Sequence, residues 1–237
     1  MLARPFSQLV HAHAGRAGVA MGGGPSLPGT MDLVPRDAVK ISANAHGAKF
    51  CPVDYIVTVD RHAPGIGNFA GSVPIIGPHA WADFRMAEQA HPNSGIMSAW
   101  ALAMMGCAPV FLAGMDLYRD GTYYHDPAAH STGTHLKLQT HLNRWATLAS
   151  TCIENGSVPF RVFGGPLVGL FKLYDIDEVV RPVSLTLARK LATGIAIVFE
   201  RHWKNEQREE DYAPGDRIEV DQRTAERFVR TQYARIA

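Results

Sequence analysis

Short apolar runs recur along most of the chain, separated by glycine, proline and polar residues. Runs that are rich in Val, Ile and Ala and bounded by turn residues are typical of buried strands. Predicted strands cover residues 18–21, 38–44, 54–60, 73–77, 110–115 and 159–163. Predicted helical segments cover residues 1–18, 81–89, 96–105, 134–155 and 167–173. This alternation predicts an α/β fold, Rossmann-like, with a doubly wound and mostly parallel sheet of five or six strands.

The pattern changes near Val180. Residues 193–200 and 217–220 predict two further strands, residues 202–211 a charged hairpin-like loop between them, and residues 224–233 a helix. We therefore expect a main domain over residues 1–180 and a small C-terminal β-β-α module over residues 181–237. Because so short a segment has little core of its own, it should pack on the main domain or on another subunit.

Glycines follow the first buried strand of the main domain. Gly22, Gly23 and Gly24 come directly after residues 18–21, and Pro25 and Ser26 follow them. Glycine lets a ligand approach the backbone closely, and exposed N–H groups in such a turn can bind an anion. The alternative is a plain strand-to-helix turn. The segment matches neither the Walker pattern nor GxGxxG.

The next two predicted strands end on polar residues, Asn44 and Asp60. Because the carboxyl ends of parallel strands share one edge of a sheet, both side chains should point into the same crevice as the glycine turn. Asn44 could hydrogen-bond a base or a ribose. Asp60 could bind a ribose hydroxyl or a divalent metal. Each could instead cap the turn that follows its strand.

A helix start follows at Asn93, Ser94 and Gly95. Asn93 or Ser94 can cap this helix, and its first N–H groups, aimed at the strand ends, would form a second anion site. The helix itself, residues 96–105, is apolar nearly all round, which predicts that it is buried against the sheet.

Asp116 directly follows the strand predicted at residues 110–115. It begins a loop that is rich in tyrosine and histidine. Asp116 could bind metal, orient a histidine or cap a turn. Hydroxyl groups of Tyr118 and Tyr124 could donate to phosphate oxygens, and His125 or His130 could act as a general base. A histidine metal site is the rival hypothesis, but the two histidines lack the i, i+4 spacing and no HExxH is present. On the next helix, we expect His135 and His141 to be surface or packing residues.

Composition narrows the class of protein. The chain has 237 residues, of which 46% are hydrophobic and 19% charged, as expected for a folded globular protein. A net charge of +1 gives no bulk field for nucleic acid or a membrane surface. Three cysteines without a CxxC pair argue against a disulfide framework or zinc site and favour the cytoplasm. No apolar run reaches the roughly 18 residues of a transmembrane helix, and the first residues lack the apolar core of a secretory signal.

Together these motifs resemble one superfamily. It contains the DUF115 proteins, which are MptE-like 6-hydroxymethylpterin diphosphokinases, and the bacterial sialyltransferases of glycosyltransferase family 42. The resemblance spans residues 17–175. It is carried by residues 22–27, Asn44, residues 54–60, Ser94 with Gly95, and residues 114–118.

The sialyltransferase branch implies a CMP-activated sugar as the donor and a hydroxyl acceptor, such as one on a glycan, with no other cofactor. The resemblance implies that the glycine turn, Asn44 and the helix start at Ser94 bind the nucleotide. It also implies that Tyr118 and Tyr124 hold the leaving phosphate, and that His125, or else His130, is the base. This branch is the leading expectation for the main domain.

The diphosphokinase branch implies ATP and Mg²⁺, with the metal held by Asp60 and Asp116. A third expectation comes from residues 193–237, which resemble small modules at the ends of phage structural or accessory proteins. A phage protein could keep the fold without its chemistry and could use this module to form a homo-oligomer or join a phage particle. For both enzyme hypotheses we expect a cytoplasmic protein, in the host cytoplasm if it is phage-encoded.

Overall fold

The computed structural model describes residues 3–60, 63, 65–79, 81–86, 93–117, 138–154, 157–205, 210–220 and 222–237. Within these ranges nine strands form one sheet, and every neighbouring pair is parallel. They are β1 Arg4–Pro5, β2 Gly18–Met21, β3 Val39–Ala43, β4 Tyr55–Val57, β5 Ile75–Gly77, β6 Phe84–Arg85, β7 Val110–Ala113, β8 Phe160–Val162 and β9 Lys172–Leu173. Their order across the sheet is β1-β6-β5-β4-β3-β2-β7-β8-β9.

Helices cover both faces of this sheet, because successive side chains of a strand point to opposite faces. In β2, Val19 and Met21 pack into the cluster that holds Leu27, while Ala20 packs into the larger cluster that holds α3. The described helices of the main domain are α1 Leu27–Met31, α2 His46–Phe50, α3 Ser94–Met104, α4 Leu138–Thr151 and α5 Leu185–Ala192. The prediction of a doubly wound α/β sheet is confirmed.

The chain reverses its direction across the sheet between β2 and β7. It steps from β2 through β3, β4 and β5 to β6, and β7 then returns to the other side of β2. The loops that leave the carboxyl ends of β2 and β7 therefore diverge and open a crevice. In open α/β sheets this is the place where ligands bind.

All residues of α3 are buried, and the helix packs on β2, β3, β4 and β7. Its apolar character all round explains that position, since only a helix covered on every side can be apolar on every side. The helix start at residue 94 is thereby fixed at the carboxyl edge of the sheet.

The C-terminal module has its own sheet and its own core. Its elements are β10 Ile195–Phe199, β11 Trp203–Asn205, β12 Glu210–Tyr212, β13 Arg217–Val220, α6 Gln222–Arg230 and β14 Ala234–Ile236. Strands β13, β10 and β14 form an antiparallel sheet, and β11 and β12 form the predicted hairpin. Phe199 stacks on Tyr212 with ring centroids 4.6 Å apart. The preceding helix α5 packs instead in the main core, through Ala188 and Ala192.

Several predicted elements are wrong in the described residues. The N-terminal segment predicted as helix contains β1 and a 3-10 turn at Phe6–Leu9. Residues 84–85, predicted as helix, form β6, because Phe84 pairs with β5 on one side and β1 on the other. Residues 167–173 were expected to be helical, but a 3-10 turn at Pro166–Gly169 leads into β9, a strand that the sequence did not predict. No helix of the described chain is long and apolar enough to cross a membrane.

Candidate functional site

A pocket of about 230 Å³ opens at the carboxyl ends of β2, β3, β4 and β7. It therefore lies beside the point where the chain reverses across the sheet. Six separate parts of the chain supply its described lining: Gly22, Gly23, Gly24; Ala43, Asn44, His46; Val59; Asn93, Ser94, Gly95; Gly114, Met115, Asp116, Leu117; and His141 and Trp145 from α4.

The glycine turn after β2 lies directly against the end of β7. The Gly22 N–H donates to the Ala113 carbonyl and the Gly24 N–H to the Gly114 carbonyl, each over 2.8 Å. A side chain at Gly22 would lie 2.4 Å from the Gly114 oxygen. Close approach of the β7 end thus explains why Gly22 and Gly24 are glycines. The expectation that this turn exposes its N–H groups is wrong for Gly22 and Gly24.

Asp116 caps this turn. Its Oδ2 accepts a hydrogen bond from the Ser26 N–H over 2.9 Å, and a side chain at Gly24 would come within 2.1 Å of the same oxygen. Among the described residues its other carboxylate oxygen has no hydrogen-bond partner. Of the three roles that the sequence left open for Asp116, capping is the one that these contacts display.

The two aspartates that were expected to hold a divalent metal do not fit such a site. Asp60 is exposed and is not part of the pocket lining, whereas Asp116 is. In the described ranges, no three side chains of His, Cys, Asp or Glu come together as metal ligands would. The expected crevice position of Asp60 is therefore wrong, and Asp60 with Asp116 does not form a magnesium site in the described chain.

Asn44 is held in a specific orientation at the end of β3. Its backbone has a positive φ of 55°, a left-handed conformation in which Asn is one of the favoured residues after glycine. Ser94 Oγ accepts from the Val59 N–H over 3.1 Å and donates to Asn44 Oδ1 over 2.9 Å. Since the oxygen of the Asn44 side chain is engaged, its NH₂ group is the part available to a ligand.

The start of α3 is capped by Asn93. Its Oδ1 accepts from the Gly95 N–H over 2.8 Å and from the Ile96 N–H over 3.3 Å. Two N–H groups that were expected to face an anion are therefore already paired. The residues predicted at this helix start do line the pocket, but as a capped terminus.

Two histidines and a tryptophan of the lining were missed as site residues. His46 is the first residue of α2 and lies two residues after Asn44. His141, which we expected on the surface or in packing, is 4% exposed, and Trp145 is 2% exposed. His141, Trp145 and Leu148 recur at i, i+4 and i+7, so the two large apolar residues on that face could have indicated that His141 points inward.

The remaining predicted residues lie elsewhere. Tyr118, Tyr124, His125 and His130 lie outside the described residues, as does His135. Pro25 and Ser26 line a neighbouring cleft. The described lining of the pocket has Asp116 as its one carboxylate and contains no Lys or Arg, so neutral donors such as amide and imidazole groups are what it offers to a ligand.

Among known proteins, similarity to this chain is found in solved structures and not in sequence. No family model matches the sequence, and no curated protein matches it. One similar solved structure is the sialyltransferase CstII from Campylobacter jejuni in complex with CMP-3FNeuAc, with 12% identity and a TM-score of 0.48 over 71% of this chain and 92% of that chain. Another is the same sialyltransferase with cytidine-5'-monophosphate, with 11% identity and a TM-score of 0.41 over 91% of this chain and 98% of that chain.

Proposed function

We propose that this chain is a nucleotide-dependent transferase of the sialyltransferase-like kind, which moves a sugar from a CMP-activated donor to a hydroxyl acceptor. One observation supports it most. The segments that carry the sequence resemblance lie far apart in the chain, and each contributes to the lining of the same pocket, at residues 22–24, 44, 59, 94–95 and 114–117. The pocket also lies at the edge of the sheet where such folds bind nucleotides.

Different groups of the described pocket can each bind a different part of the donor. The NH₂ group of Asn44, oriented by Ser94, would hydrogen-bond the base or the ribose. Gly23, which lines the pocket within the glycine turn, would allow the ribose and phosphate to lie against the backbone without meeting a side chain. Phosphate oxygens would be held by neutral donors, for which the sequence offers Tyr118 and Tyr124.

The chemical step would be a direct displacement at the anomeric carbon. A lone pair of the acceptor hydroxyl forms the new bond to that carbon, while the bond from carbon to phosphate oxygen breaks and its electron pair stays on the phosphate. The hydroxyl proton passes to a histidine acting as general base. His125 and His130 are the candidates from the sequence, and His141 is a third because it lines the pocket.

A nucleotide panel tests the donor class. CMP, UDP, GDP and ATP are compared by thermal unfolding, each with and without Mg²⁺. We expect CMP to raise the unfolding temperature without metal, since saturation at 100-fold the dissociation constant adds about 2.7 kcal/mol. A shift that requires both ATP and Mg²⁺ would favour the diphosphokinase instead, and no shift with any nucleotide would rule out both enzymes.

A further inference from the structure

We propose that a second cleft, beside the nucleotide pocket, binds the acceptor, and that the acceptor presents a neutral hydroxylated ring such as a sugar. This inference rests on the proposed function. The cleft has a volume of about 410 Å³ and lies between α1 and the turn after β8. It opens at the same carboxyl edge of the sheet as the nucleotide pocket.

The two cavities share a wall. Met115 and Asp116 line both of them. In a displacement reaction the acceptor oxygen must reach the donor carbon, so a subsite separated from the donor by one or two side chains is suitably placed. Asp116 is fixed there by the bond from the Ser26 N–H to its Oδ2. Its second oxygen has no partner within the described chain, so it can accept a hydrogen bond from an acceptor hydroxyl.

The lining of the cleft matches a ring with polar edges and an apolar face. Phe163 lies on one side and is held by Phe111, with ring centroids 5.1 Å apart, and by Tyr174 at 5.7 Å. Leu33, which is 58% exposed, lies on the α1 side. Ser26 and Thr30 add hydroxyl groups. An apolar and aromatic lining with a few placed polar groups is the usual composition of a small-molecule site.

Charge selects against an anionic acceptor. The described lining of the cleft has one carboxylate, that of Asp116, and no Lys or Arg. A carboxylate on the acceptor would approach a like charge without compensation, which disfavours binding. A neutral hexose ring fits this lining better than an acidic sugar.

In the step itself, the Asp116 oxygen would accept the hydrogen of a neighbouring acceptor hydroxyl and so orient the ring. The reacting hydroxyl would form its bond to the anomeric carbon as the bond to the phosphate breaks. Its proton would go to the histidine base, not to Asp116. Asp116 is thus a positioning residue for the acceptor.

A substitution that fills the cleft tests the proposal. Gly29 lies in α1 and lines this cleft but not the nucleotide pocket, and a β-carbon added to it would have no atom within 4 Å. Gly29→Phe should therefore occupy the cleft without disturbing the core. Gly67→Phe is the matched control, because Gly67 also has open space around it and lines neither cavity.

The measurement is calorimetric binding of phenyl β-galactoside to the CMP-saturated protein. We expect binding to the wild type and to Gly67→Phe, affinity weaker by about tenfold or more in Gly29→Phe, and an unchanged CMP affinity in all three. Leu33→Ser, which removes part of the apolar wall without adding bulk, should also weaken binding of the galactoside. Phenyl β-glucuronide, the acidic analogue of the probe, should bind the wild type more weakly than the galactoside.

Equal probe affinity in Gly29→Phe, no probe binding by the wild type, or tighter binding of the glucuronide would each overturn the proposal. If the wild type binds the galactoside in the cleft but does not bind CMP, the proposed binding cleft is supported and the proposed CMP-activated donor is contradicted. The two proposals therefore fail in distinguishable ways.

Discussion

At position 24, a contact with residues distant in sequence requires glycine. A side chain at this position would lie 2.1 Å from Asp116 Oδ2 and 2.6 Å from the Gly114 oxygen. Those are neighbours across the point where β2 and β7 end, so the glycine permits the two strand ends to meet. From the sequence, we attributed this glycine to the close approach of a ligand. In the structure, the close approach of the loop after β7 explains it instead.

Gly24→Ala should destabilise the protein by roughly 1–3 kcal/mol, because the methyl group must displace a carboxylate or a backbone carbonyl. Gly29→Ala is the control. It adds the same methyl group in α1, where nothing lies within 4 Å, and should stabilise the protein by about 0.5–1 kcal/mol. Urea unfolding of both variants gives the free energies, and a Gly24→Ala variant as stable as the wild type would contradict the steric account.

The identity of the base is also decided at single residues. We expect His125→Ala to abolish transfer from a CMP-sugar while leaving CMP affinity nearly intact, because removal of a general base costs about 10²–10⁴-fold in rate. His130→Ala and His141→Ala are measured beside it. His202→Ala serves as the control, since His202 is 60% exposed on the C-terminal hairpin.

Loss of transfer in only one of the other two histidine variants would move the base to that residue. If all three variants retain the wild-type rate, the histidine mechanism is wrong. Initial rates at saturating donor, together with calorimetric CMP affinities, separate these outcomes.

Among the elements, α3 connects the core to the site most directly. Its body is buried, and its first turn is held by two groups with different functions. Asn93 caps the backbone, while Ser94 reaches sideways to the ends of β3 and β4 through Asn44 and Val59. The start of one helix thus fixes the orientation of a side chain on another strand.

Substitutions of Asn93 separate capping from ligand contact. Asn93→Ala should lose about 0.5–2 kcal/mol of stability, because the Gly95 and Ile96 N–H groups lose their acceptor. Asn93→Asp keeps an accepting oxygen and should keep most of that stability, but it adds a negative charge to the pocket and should weaken CMP binding, less so at high salt. Urea unfolding and calorimetry measure the two effects, and undiminished CMP binding by Asn93→Asp would show that this side chain does not face the phosphate.

Elements with strong local signals were predictable. The strand at Gly18–Met21 and the strand at Arg217–Val220 lie where the sequence placed them, since each is a short run rich in β-branched or apolar residues between turns. The strands β6 and β9 were missed because each has two residues and owes its existence to pairing with strands elsewhere in the chain, which no local pattern encodes. Such short strands form because they pair with segments that lie elsewhere in the sequence.

On the scale of the whole molecule, the order of strands assembles the site. The sequence identified most of the segments that line the pocket, because glycines, a helix cap and polar strand ends have local signatures. It could not show that Asp116 binds Ser26, 90 residues away, or that Ser94 binds Asn44, 50 residues away. It also missed His46 and His141, whose direction depends on how α2 and α4 pack.

The most direct test of the central claim is a calorimetric titration of CMP, without metal, into the wild type and into Asn44→Gly. Glycine accepts the φ of 55° at this position, so the substitution removes the whole side chain, amide included, without straining the backbone. We predict saturable binding to the wild type and an affinity weaker by about tenfold in the variant. No binding at millimolar CMP, or equal affinity in the two proteins, would contradict a nucleotide site in this pocket.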